Sequence, residues 1–160
     1  SADWLAGPFD SELSQLGYKP GLPTNRNLVA LLQSHFGLGL NDVFGTNVFP
    51  FVKPGGMSTR IPARTMQAAA EQFALPQIRI VQPRLAAALG LPAFNALRRA
   101  AGLKKVNTLA EGIDHPFTYN KTVIWCQAHT GGLGRANRNR GGVDRVNADW
   151  ARMAAALTAA

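Results

Sequence analysis

Apolar positions recur at helical spacing in three stretches and gather into short β-branched or aromatic runs in others, an alternation that predicts a mixed α/β chain. In residues 24–36, Leu28, Leu32 and Phe36 share a face, Thr24 or Asn25 stands where an N-cap belongs, and Gly37 ends the pattern. Residues 42–49 (DVFGTNVF) predict a buried strand that runs into the loop VKPGGMSTR, because Pro50 and Pro54 forbid continuation. Pro62 suits the first turn of a second helix with Met66, Ala69, Ala70 and Phe73 on one face, weakening at Pro76. Residues 78–102 are open to two readings: IRIV has strand propensity, whereas RLAAALGLPAFNALRRAAG has the alanines of a helix. Residues 122–128 (TVIWCQA) predict another buried strand, which delivers His129 at its carboxyl end. Asp144 is placed to cap a last helix, whose Val146, Trp150, Met153 and Leu157 form a core-facing stripe.

Strands alternating with helices predict a three-layer α/β/α fold with a small, mostly parallel central sheet and ligands outside the carboxyl ends of its strands. The 160 residues form one expected domain, residues 1–160, without repeats, low-complexity tracts or a dividing linker. No apolar run reaches the length of a membrane span, and one cysteine, Cys126, supports neither an intrachain disulfide nor a cysteine-based metal centre. With no secretory pattern at its start, the expected compartment is reducing and cytoplasmic. Seventeen Lys and Arg against nine Asp and Glu leave a net charge of +8, which favours a polyanionic partner, nucleic acid first among them.

Two loops leave the two clearest predicted strands and are expected on one face: TNVFPFVKPGG (residues 46–56) and AHTGGLGRANRNRGG (residues 128–142). The second carries Arg135, Arg138 and Arg140 with no acidic residue. Its Gly131, Gly132 and Gly134 would let backbone approach a phosphate closely. The plainer alternative is a solvated basic loop. Lys53 and Arg60 flank the first loop as further phosphate contacts.

These motifs, in this order, resemble the uracil-DNA glycosylase superfamily from about residue 7 to residue 150. AGPFDSE is similar to the segment that stacks an aromatic on the flipped base and puts Phe9 in that role. DVFGTNVFPFVKPGG looks like the strand and proline-containing loop whose Asn reads the uracil edge, here Asn47. LAAALGLPAFNAL is similar to the family's strand, LG-x-PA turn and helix. His129 matches the histidine that opens the final motif, and Leu133 the intercalating residue. The resemblance implies a cofactor-free, monomeric enzyme that hydrolyses the N-glycosidic bond of uracil or a related base in DNA. Such chemistry needs an aromatic platform, an amide reader, a wedge for the gap and a donor for the charge on the departing base.

The family's first motif, a strand and a G-x-x-P turn bearing the Asp, Asn or Glu that positions water, belongs just before Phe9. Only eight residues precede Phe9, so the expectation is an N-terminally incomplete chain, with Asp3, Asp10 and Glu12 the nearest carboxylates. His115, before Pro116, reads as a turn residue and His35 as structural. Two other readings stand beside the enzyme: a catalytically silent DNA-binding relative, and a small nucleotide-binding protein in which GGLGR cradles a phosphate. The last lacks both a G-x-G-x-x-G turn and a P-loop lysine.

Overall fold

In the computed structural model, which describes residues 15–16, 18–51 and 60–158, the first helical stretch forms α1 (Pro23–Phe36). The helix opens before the expected caps. Pro23, with its fixed φ and no N–H to satisfy, takes the first turn, and Leu22 rather than Thr24 or Asn25 is the N-cap. Gly37 closes the helix at φ 67°, with its N–H on the Gln33 carbonyl at 3.1 Å.

Residues 42–49 do not form the expected strand. Leu40–Asp42 is a single 3₁₀ turn, held by the Gly39 N–H on the Asp42 carboxylate at 2.8 Å, and the chain then runs irregularly to Phe51. Strand propensity measures fit to a pleated, half-buried surface, and this segment has none: Phe44 is 63% exposed, while Val43 and Val48 pack into different cores. Phe49, Phe51 and Phe73 instead meet edge to face.

The second helical pattern becomes α2 (Ala63–Ala69), a wide π turn (Ala70–Ala74) and α3 (Leu75–Val81). Instead of weakening at Pro76, the helix widens just before it. Leu75 N–H reaches back five residues to the Ala70 carbonyl, a widening that accommodates a residue with no N–H to give. The Ile78–Val81 run that suggested a strand is thus helical, with Ile80 82% exposed. The strand follows it: β1 (Leu85–Leu89) leads through Gly90 into α4 (Leu91–Ala100). Then come α5 (Leu109–Asp114), β2 (Phe117–Tyr119), β3 (Thr122–Gln127), α6 (Gly132–Arg138) and α7 (Arg145–Thr158).

The described strands form one sheet in the order β1-β3-β2. β1 runs parallel to β3, with Leu85 opposite Val123 and Leu89 opposite Gln127, while β2 is antiparallel to β3. The sheet is therefore mixed rather than mostly parallel. The cause is local: Asn120, at φ 54°, turns the chain tightly enough for β2 and β3 to pair as a hairpin.

Alternation along β3 divides the core. Ile124 and Cys126 pack with Leu75, Phe94, Leu97 and Phe117 on one face, and Trp125 packs with Leu31, Leu32, Val146, Trp150 and Met153 on the other. Helices cover both faces, as expected for an α/β fold. Of the α7 stripe, Val146, Trp150 and Met153 are buried, whereas Leu157 is only partly so. Among the described residues, no helix is long and apolar enough to cross a membrane.

Candidate functional site

Because β1 and β3 are parallel and end in register, their carboxyl ends lie side by side, and Gly90 N–H extends the ladder by one bond to the Gln127 carbonyl at 2.7 Å. Gly90 adopts φ 100°, a backbone that side-chain-bearing residues rarely take. A Cβ there would lie 3.9 Å from the His129 Cβ, so the two strand exits touch.

Beyond β3 the chain alternates once more: Ala128 and Thr130 are buried, and His129 between them is exposed. Helix α1 fixes this turn, since Asn27 Nδ2 donates to the Thr130 carbonyl at 2.8 Å. Gly131 N–H donates to His129 Nδ1 at 3.0 Å. With Nδ1 engaged as acceptor, the neutral ring carries its proton on Nε2 and offers it as a donor. A Cβ at Gly131 would stand 3.0 Å from His129 Nδ1 and 3.1 Å from Thr24 Oγ1. At Gly134 it would meet the His129 carbonyl oxygen more closely than any Cβ tolerates, because the first turn of α6 lies flush on that carbonyl.

The stretch expected as a basic loop is therefore partly helical, α6 being built from the helix-forming Leu133, Arg135, Ala136 and Arg138. Leu133 is 81% exposed, Arg140 is exposed and Arg135 half-buried, and neither arginine is ion-paired among the described residues. Arg138 is different. Its Nε and Nη2 bond the two carboxylate oxygens of Asp149 at 2.7 and 2.9 Å, with side chains only 19% and 10% exposed. The hydrogen bonds to Asp149 raise the guanidinium pKa further, so this cation is committed to α7. Sequence reading missed Asp149, although its position among Val146, Trp150 and Met153 put a charge on a core-facing stripe, where a partner is required.

Burial, and after it the Asp149 charge, pushes the Cys126 thiol up to about 12, which leaves it inert. His35 Nε2 meets Asn147 Oδ1 at 3.1 Å between α1 and α7, and His115 Nδ1 meets the Glu111 carbonyl at 2.8 Å, so both are structural. Asn47 is exposed in the irregular segment after α1, with no strand to present it. Phe9, Lys53, Asp3, Asp10 and Glu12 lie outside the described residues.

The described carboxylates are all engaged by other groups of the chain. Asp42 accepts from Gly39, Glu71 from Gln67, Glu111 from Asn107, Asp114 from Arg152, Asp144 from Asn139 and Asn147, and Asp149 from Arg138. Among the described residues, no cluster of His, Cys, Asp and Glu could hold a metal ion. A scan against protein-family models finds no match for the chain, and no curated protein matches it.

Proposed function

We propose that this chain, as a monomer without a cofactor, binds DNA at the carboxyl ends of β1 and β3 and hydrolyses the N-glycosidic bond of uracil or a related flipped base. The observation that carries the reading is His129: an exposed imidazole at a strand exit, its Nδ1 taken by Gly131 N–H and its Nε2–H available. When the base leaves, the glycosidic electron pair goes with it, and negative charge grows on the carbonyl oxygen beside the broken bond. A fixed neutral donor stabilises that charge more in the transition state than in the bound substrate, which is what accelerates the step. Water completes the reaction by adding to the sugar carbon, and its proton goes to the departed base.

Leu133 supports the same reading, since a leucine 81% exposed beside His129 packs against little of its own chain and suits the gap a flipped base leaves. Arg135 and Arg140 supply charge for the backbone, and the net charge of +8 fits a polyanion. Phe9 and Asn47 keep their proposed roles as base platform and base reader, and Lys53 its role as a phosphate contact.

One observation favours a second reading, a relative that binds DNA without cleaving it: every described carboxylate already accepts from a donor of the chain, so none of them is free to position water. The two are separated by incubating the chain with a labelled oligonucleotide containing one uracil and assaying alkali-labile abasic sites. Abasic sites at the uracil position support the enzyme. Binding without abasic sites for uracil or any other base supports the silent relative.

A further inference from the structure

Beside the candidate site runs a groove of about 480 Å³. One wall is α4, whose first residues Leu91 and Pro92 directly follow Gly90 and so continue the surface from His129. The facing walls come from residues 60–66 and 105–107. Asn95 fixes the geometry by pairing with the Val106 backbone twice, as donor to its carbonyl and acceptor from its N–H, each at 2.9 Å. The groove is thus built before any occupant arrives.

Its lining is apolar below and cationic at the rim. Met66, Leu91 and Val106 contribute the floor, Arg60, Arg99 and Lys105 the rim, and no carboxylate lines it. These three cations have neither an ion pair nor a side-chain hydrogen bond among the described residues. By contrast, Arg138 is committed to Asp149, Arg152 to Asp114, and Arg98 to the Lys104 carbonyl.

We propose that this groove takes a single-stranded stretch of nucleic acid continuous with the strand at His129, its phosphates on Arg60, Arg99 and Lys105 and its bases over the apolar floor. The proposal rests on the DNA-binding part of the function above and adds the form of the substrate. Charge selects a phosphodiester over a neutral or acidic peptide. The floor selects unpaired over paired bases, because a duplex turns its base faces inward and would leave Met66 and Leu91 against water, whereas unstacked bases have free faces to cover them.

The test uses fluorescence anisotropy with a fluorescein-labelled oligothymidylate of twelve nucleotides, which contains no uracil, and a duplex of the same length, each over a series of salt concentrations. The parent chain is expected to bind the single strand several-fold more tightly than the duplex. Arg99→Ala and Lys105→Ala should each lower the slope of log affinity against log salt by about 0.7 for the single strand. Met66→Glu, which also loses part of a core contact, should weaken it at least tenfold at a temperature where circular dichroism shows the variant folded, and Lys121→Ala, in the turn at the far end of β3, should bind like the parent. Equal affinity for the two forms, or groove variants that bind like the parent, overturns the groove while leaving DNA binding intact. A parent chain that binds neither form overturns the DNA reading itself.

Discussion

Removing the Arg138 guanidinium should damage the fold rather than the grip on DNA. Two charge-assisted hydrogen bonds, at 2.7 and 2.9 Å, join Arg138 on α6 to Asp149 on α7, and the side chains are 19% and 10% exposed. Pairs fully in water contribute about 0–1 kcal/mol, and breaking a buried pair from one side costs about 3–5 kcal/mol. This pair sits nearer the second limit, because Arg138→Ala leaves the Asp149 carboxylate, only 7% exposed as a residue, without its cation. The expected loss is about 3 kcal/mol. At this chain length that corresponds to a fall of roughly 6–12 °C in the thermal midpoint.

The assay is thermal and urea denaturation of the parent, Arg138→Ala, Asp149→Ala and the double variant, closed as a double-mutant cycle. A coupling of about 2 kcal/mol or more is expected, with the double variant more stable than the sum of the single losses implies. Arg140, exposed and free of a carboxylate, supplies the contrast: Arg140→Ala should leave the midpoint unchanged and lower the DNA salt slope by about 0.9. An Arg138→Ala chain that melts within a degree of the parent yet loses salt slope on DNA would refute the reasoning and return Arg138 to the phosphate contacts.

Other consequences are as direct. Gly134→Ala should cost about 1–3 kcal/mol by pushing α6 off the His129 carbonyl, and should reduce base excision more than Gly132→Ala, where a Cβ meets open space. Leu133→Ala should leave the melting midpoint unchanged and slow excision from duplex DNA, since the exposed side chain packs little in the free protein. Cys126, fully buried with its thiol at about 12, should resist iodoacetamide in the native protein at pH 8 and react once urea unfolds it. The Asp144 carboxyl is held below its ordinary value chiefly by the Asn147 side chain. Its contribution is therefore present above the unfolded-state value and lost as pH falls through the depressed one. Asp144→Ala should lower the midpoint near pH 7, and its difference from the parent should shrink as pH falls through the depressed value; a difference that does not shrink on acidification would exclude the linkage.

The elements that were legible in the sequence are those in which local pattern and tertiary environment agree. The α1 stripe, the α7 stripe and the TVIWCQ strand each turn toward the core the residues that their period assigns to it, with Leu32, Val146, Trp150 and Met153 buried and Leu28, Phe36 and Leu157 partly so. The misreadings arose where composition imitated a different environment. Residues 42–49 have strand-like side chains but no neighbouring strand. Residues 78–81 are β-branched yet continue a helix that a π turn carries past Pro76. The mostly parallel sheet failed on one residue, Asn120, whose left-handed turn creates the antiparallel hairpin. At the candidate site, the sequence pointed to His129 and the glycines, but the bonds that fix the ring and the loop come from Gly131 N–H and from Asn27, 103 residues distant from Thr130. Neither pairing leaves a signature in a linear pattern. The pairing of Arg138 did leave one, in the charge of Asp149 on an apolar stripe.

The central claim concerns a donor at the exit of β3, and one comparison tests it most directly: single-turnover release of uracil from a labelled oligonucleotide by the parent chain and by His129→Ala, with DNA affinity measured in parallel. A preorganised donor to a developing oxyanion contributes about 2.7–4 kcal/mol to the transition state, so the rate should fall roughly a hundredfold to a thousandfold while affinity changes little. Equal release by the two chains would contradict the account, and a loss of affinity matching the loss of rate would make His129 a binding residue instead.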